Sequence, residues 1–160
     1  MPITDKFFAI NIRKYLALGD DHEAGEPALI QLLSGFSCPK NPDVEHFLKK
    51  NAIEFTKKNQ SVTYLVFSKD NGEMLGYFTL ALKPLTIRGE TVSNTTKRKL
   101  LRVSELDVKS DTYTMSAYLI AQLGKNYADG RNREIAGKEL IELAWMIIEK
   151  THYMFGGMGT

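Results

Sequence analysis

Ser116 to Tyr127 is an apolar run rich in β-forming residues, Ala128 to Arg133 reads Ala-Asp-Gly-Arg-Asn-Arg, and Glu134 to Ile148 returns apolar residues at helical spacing. A strand, a polar Gly/Arg/Asn loop and a helix in that order leave free backbone N–H groups and the positive end of a helix dipole just past a strand terminus. An anion is favoured there. The segment is the candidate site for a phosphate-bearing cofactor.

The 160 residues are 43% hydrophobic, enough to build one domain with a real core and too few for two comfortable ones. A single globular domain over 1–160 is expected. The formal net charge of +2 excludes a global field that would advertise a nucleic-acid or membrane partner, so any basic patch is local. Cys38 is the one cysteine, which rules out an internal disulfide, and it has no His or Cys neighbours at metal spacing. No metal site is expected, and a reducing, intracellular setting fits. The N-terminus lacks a signal-type apolar run, and no stretch of eighteen apolar residues occurs. A soluble, cytoplasmic protein follows.

Phe7, Phe8, Ile10 and Ile12 mark a short strand, and Gly19 to Gly25 a loop. Pro27 to Leu33 predicts a short helix with proline in its first turn. Asn41 is placed to cap a second helix, with Pro42 at its first position and Val44, Phe47, Leu48, Ala52 and Phe55 along one face. Ser61–Phe67 and Met74–Leu82 read as an antiparallel hairpin around Asp70-Asn71-Gly72. Residues 86–112 are polar, with one helical turn near 95–101. A long strand follows at about 114–127. The last helix carries Gly137, Leu140, Ile141, Ala144, Ile147 and Ile148 on one face.

That element order, a mixed-sheet α/β (α+β) pattern, resembles the GCN5-related N-acetyltransferase superfamily. Two segments carry the resemblance: Phe36 to Ala52 with the hairpin after it, and Ala121-Gln-Leu-Gly-Lys-Asn126 with Ile135-Ala-Gly-Lys-Glu-Leu-Ile141. The first is similar to the branch that includes toxin–antitoxin acetyltransferases acting on aminoacyl-tRNA. The resemblance implies an acyl-CoA N-acyltransferase fold with acetyl-CoA as cosubstrate and a primary amine as acceptor, tRNA-borne or small. It assigns Leu123, Gly124 and Lys125 to the strand that meets the pantetheine arm, and Ala136 and Gly137 to the end of the pyrophosphate loop. Small residues at that end let phosphate oxygens approach amide nitrogens. Arg131, Arg133 and Lys138 either pair with phosphates or are solvated surface charges. The loop departs from the family pattern at Ile135, where glycine is usual, and at Asn132, where Arg or Gln is expected. The family's next strand, helix and closing hairpin have no counterpart after Tyr153, so the fold is expected to be truncated after the central strand–loop–helix: either the chain is a fragment of a longer protein, or it is a natural truncation whose sheet edge is covered by a partner or a second copy.

No general base stands out. Glu73, Glu105 and Asp107 read as surface acids near strand ends, and Tyr118 and Tyr127 as core or rim packing. His22 and His46 lack a partner at catalytic or metal spacing. Cys38 and the aromatics Phe47, Phe55 and Trp145 read as packing. Lys97-Arg98-Lys99 with Arg102, extended by Lys49, Lys50, Lys57 and Lys58, is either a solvated helix face or a local phosphate-binding patch. Two function classes remain: an acetyl-CoA-dependent N-acetyltransferase, and a catalytically silent module of the same fold that binds a partner through its unfinished sheet.

Overall fold

The computed structural model of the chain describes residues 3–155 and 158–159. Its elements are β1 (Phe7–Asn11), α1 (Arg13–Leu16), α2 (Glu26–Ser34), α3 (Pro42–Lys50), α4 (Ala52–Lys57), β2 (Val62–Ser68), β3 (Met74–Arg88), α5 (Asn94–Leu100), β4 (Glu105–Asp107), β5 (Thr112–Lys125), α6 (Gly137–Phe155) and β6 (Met158–Gly159). The sheet order is β1-β2-β3-β5-β4, and β6 also pairs with β5. The chain forms two compact units: residues up to Ala81 together with Ile120–Ile147, and Leu82–Leu119 together with the residues from Ile148 on.

In the first unit β1 pairs antiparallel with β2, and β2 with β3, with a register shift between Val66 and Phe67. The β2–β3 turn closes through Gly72 at φ +71, a left-handed conformation that costs glycine little. One face of these strands holds a core in which Ile12, Leu29, Leu33, Phe36, Leu48, Leu65 and Tyr77 are buried together. Tyr77 sits inside because its hydroxyl donates to the Val44 carbonyl at 2.6 Å, and burial pushes its phenol well above the ordinary range. Leu140 of α6 approaches β3 at Gly76, where a Cβ would meet both Leu140 methyls at 3.3 Å. Lack of a side chain at Gly76 is what lets the helix come this near.

The expected second helix is two. Asn41 caps α3 by accepting from the Val44 N–H, as its position predicts, but the helix stops at Asn51, φ −121, and restarts as α4. Phe47 and Phe55 stay side by side, edge to face at 5.5 Å, across that break. The Glu45 carboxyl is held below its usual range, chiefly by the Cys38 N–H it accepts at 2.7 Å and then by Lys49. On α6 the buried residues are Leu140, Leu143, Ala144 and Ile148, while Ile141 and Trp145 are about half exposed. The apolar face is thus rotated relative to the expected one, and Trp145 is not a core residue.

In the second unit Leu100, Tyr113 and Met115 form a small core flanked by Ile87, Val92 and Leu106. β3 runs on to Arg88, six residues beyond the expected end, with residues 82–88 largely exposed. The short β4 pairs antiparallel with residues 112–114 of β5, and Met158–Gly159 pairs in parallel with Ala117–Tyr118. Strand pairing therefore continues past the helix at which the expected fold stopped. No helix among the described residues is long and apolar enough to cross a membrane. No group of three or more His, Cys, Asp or Glu side chains among them is placed to hold a metal ion.

Candidate cofactor site

Asn126 fixes where the loop after β5 begins. Its side chain is fully buried, a position that a carboxamide occupies without penalty only when its polar atoms are paired. Oδ1 accepts from the Ser37 and Ala128 N–H groups, each at 3.1 Å, and Nδ2 donates to the Met74 carbonyl at 2.9 Å. The Asn126 N–H donates to the Leu75 carbonyl at 2.8 Å, and the Tyr127 N–H to the Ser37 carbonyl at 2.7 Å. One residue thereby ties the end of β5 to the start of β3 and to the α2–α3 connection. Sequence reasoning misses it, since its one signal is a carboxamide following a strand.

Past Tyr127 the chain makes a short 3₁₀ stretch, Ala128–Arg133, in which Asp129 (φ 53) and Gly130 (φ 74) are left-handed. Asp and Gly are residue types that accept this conformation. The reversal turns Arg131 toward the β2–β3 turn, where its guanidinium pairs with the Glu73 carboxylate and lies 3.8 Å from Asp129 Oδ2. Asn71 Nδ2 donates to Glu134 Oε1 at 3.1 Å in the same place. A cavity of about 270 Å³ opens beside this contact, lined in part by Leu32, Gly35, Glu73 and Arg131.

Ile135 is buried and anchors the loop's far end. At the start of α6 the Glu139 side chain reaches back to accept from the Ala136 N–H at 3.0 Å, half of a capping box. The next two N–H groups, of Gly137 and Lys138, have no partner among the described residues. A Cβ on Gly137 would meet nothing within 4 Å, so the helix end is open on the side where a Gly137 side chain would stand. Arg133 is exposed with no ion-pair partner among the described residues, and the exposed Lys138 has Glu142 at 4.0 Å.

The structure therefore brings Arg133, Ala136, Gly137 and Lys138 to one helix end and turns Arg131 away into an ion pair. Leu123, Gly124 and Lys125 lead into the loop, but Gly124 faces the core: a Cβ there would lie 2.3 Å from Val44 Cγ1. By the two-residue period of a strand, Leu123 and Lys125 face the opposite side. On the β5 edge away from β3, residues 120–125 have no strand partner among the described residues, because the pairing along that edge ends at Tyr118. A ligand along this edge would meet unpaired backbone groups, then two open N–H groups at the N-terminus of a nineteen-residue helix, with Arg133 and Lys138 beside them. That sequence of groups suits a pyrophosphate carried on an extended amide-containing arm.

Elsewhere, His22 and His46 are exposed. Glu105 and Asp107 lie exposed on β4, and Tyr118 is buried. Tyr127 is half-buried with Lys40 Nζ 5.5 Å from its ring centre. Cys38 is buried and its N–H is taken by Glu45.

The fold so described is similar to the GCN5-related N-acetyltransferase fold, and solved structures of low sequence identity share it. Two solved structures show the likeness. AtaT complexed with acetyl-methionyl-tRNAfMet superposes with TM-score 0.58 at 13% identity, over 94% of this chain and 73% of that one. A tyrosine-to-phenylalanine mutant of KacT gives TM-score 0.59 at 17% identity, over 95% of this chain and 74% of that one. No protein-family model and no curated protein matches the sequence. The likeness is one of fold.

Proposed function

We propose that the protein is an acetyl-CoA-dependent N-acetyltransferase whose cofactor lies along the open edge of β5 with its pyrophosphate at the N-terminus of α6. The observation that carries this reading is the pair of N–H groups at Gly137 and Lys138 that have no partner among the described residues, at an open helix end following residues 120–125, whose outer edge has no strand partner among the described residues. Bound acetyl-CoA would supply an acyl group activated as a thioester. The chain's part is to hold it: Gly137 and Lys138 donate N–H groups to phosphate oxygens, Arg133 and the Lys138 ammonium offset their charge, and the β5 backbone from Ile120 to Lys125 takes the amides of the arm. Asn126 and Ile135 keep the loop between these two contacts in one shape.

The acceptor in this reading is a primary amine, with an aminoacyl-tRNA as the first choice. Two observations support it. A structure of the same fold, AtaT, is complexed with acetyl-methionyl-tRNAfMet. In this chain Lys97, Arg98 and Lys99 on α5, with Arg102 after it, form a run of four cations with no ion-pair partner among the described residues. Phosphodiester backbones are bound by such clusters.

The test is transfer of labelled acetyl from acetyl-CoA to aminoacylated tRNAs, set beside uncharged tRNA and a panel of small amines. Label on the aminoacyl group supports the full reading, and label on a small amine alone keeps the transferase and removes the tRNA. No transfer to any acceptor by a chain that binds acetyl-CoA identifies a silent module of the same fold.

A further inference from the structure

We infer that Arg131 is a positioning residue that acts on the cofactor loop through Glu73 of the β2–β3 turn, and is not itself a phosphate ligand; the inference rests on the cofactor reading above. As an arginine in a polar loop just before the helix, Arg131 reads from sequence as a candidate phosphate partner. The structure gives it another role. Its side chain is only 23% exposed, and its guanidinium is paired with the Glu73 carboxylate and lies 3.8 Å from Asp129 Oδ2. A guanidinium with two carboxylates beside it has its charge already matched, so leaving them for a phosphate gains little.

The surroundings fit a clamp. The β2–β3 turn is itself rigidly built: Gly72 N–H donates to the Ser68 carbonyl at 2.9 Å, Ser68 N–H to the Glu73 carbonyl at 2.9 Å, and Glu73 N–H to Asn71 Oδ1 at 3.0 Å. From this turn two side chains reach the loop at either end of its second half, Glu73 to Arg131 and Asn71 to Glu134. Between those ties lies the stretch that sets the direction of Arg133 and delivers the chain to Gly137. The loop has to pass through left-handed backbone at Asp129 and Gly130 to get there, a path a free chain samples rarely at Asp129. The clamp holds that path in place before any ligand arrives, which reduces the ordering cost of binding.

A double-mutant cycle separates the two roles by sign. Coenzyme A affinity is measured by calorimetry, and exchange of the amide hydrogens of residues 128–135 by mass spectrometry, for the unaltered chain, Glu73→Gln, Arg131→Gln and the double variant. A clamp predicts that each single change speeds exchange in the loop and weakens coenzyme A about fivefold, the effect of losing roughly 1 kcal/mol of loop order. The double variant should be no weaker than either single one. A phosphate ligand predicts the reverse for Glu73→Gln: release of Arg131 from its carboxylate tightens binding. Tighter binding in Glu73→Gln, additive losses in the double variant, or unchanged loop exchange in both single variants overturns the inference. Failure of the unaltered chain to bind coenzyme A refutes the cofactor reading instead, and the exchange data still decide whether the clamp exists.

Discussion

Replacing Asn126 should destabilise the protein far more than its single buried side chain suggests. Asn126→Ala orphans three groups at once: the Met74 carbonyl and the Ser37 and Ala128 N–H groups, all of which face a fully buried position. Each buried polar group left without a partner costs about 1–3 kcal/mol, so the loss should reach at least about 3 kcal/mol. That is a large share of the roughly 5–15 kcal/mol that holds a domain together. Asn126→Asp is the informative companion. It keeps an oxygen for the Ser37 and Ala128 N–H groups but turns a second oxygen toward the Met74 carbonyl, so one bond is lost near neutral pH, at about 1–3 kcal/mol.

When protonated, the introduced carboxyl can donate to Met74 again. Its folded-state pKa is therefore raised above the unfolded value of about 3.9, the folded state binds the extra proton, and stability falls as pH rises from about 4 through the raised pKa. Urea denaturation followed by circular dichroism at pH 4 and pH 7 measures all of this. Asn126→Ala within about 1 kcal/mol of the unaltered protein, or Asn126→Asp with no greater loss than the unaltered protein between the two pH values, would contradict this role of Asn126.

Gly124→Ala must displace Val44, whose Cγ1 would lie 2.3 Å from the new Cβ, so a melting experiment should show a loss of about 1–3 kcal/mol that Val44→Ala partly relieves in the same chain. Gly76→Ala should cost more, because the atom it meets at 2.6 Å is the Gly124 carbonyl oxygen, which cannot rotate away. For Glu45, whose carboxyl is held low by the Cys38 N–H, the stabilising effect is present above the unfolded carboxylate pKa and is lost as pH falls through the lower folded value. Acid titration of stability should accordingly be shallower in Glu45→Gln. If tRNA is the acceptor's carrier, neutralising Lys97, Arg98 and Lys99 should weaken binding across tRNA sequences and lower the salt slope by about one for each phosphate that is no longer neutralised; an unchanged slope would assign these cations to a solvated face.

The parts of the fold that repeat a pattern over many residues are legible in the sequence. The β2–β3 hairpin, the Asn41 cap and the strand–loop–helix all lie where periodicity and turn chemistry put them. What is illegible depends on single residues or on neighbours distant in sequence. The apolar spacing of Val44, Phe47, Leu48, Ala52 and Phe55 runs unbroken across Asn51, yet Asn is a poor helix interior residue and the chain breaks there. Three residues, Glu105-Leu106-Asp107, are too few to show a period of two, so β4 reads as part of a polar segment. Trp145 and Ile141 extend the apolar spacing around α6, and a helix apolar over a wide arc does not say which part of the arc faces inward. At the site the same contrast holds. Gly137 and Lys138 stand out because a helix start after a strand is visible locally, whereas Arg131's partner lies 58 residues away and Asn126 bonds to Ser37 across 89.

Binding of a coenzyme A derivative at the start of α6 is tested by calorimetric titration of acetyl-CoA into the unaltered chain and into Gly137→Trp. Since nothing lies within 4 Å of a Cβ at Gly137, the indole should fill the open space without unfolding the protein. Saturable binding that also occurs with desulfo-coenzyme A, is not reproduced by a simple nucleotide, and is abolished in Gly137→Trp at unchanged melting temperature is the predicted result. Equal affinity in the variant, or no binding by the folded unaltered chain, would contradict the account.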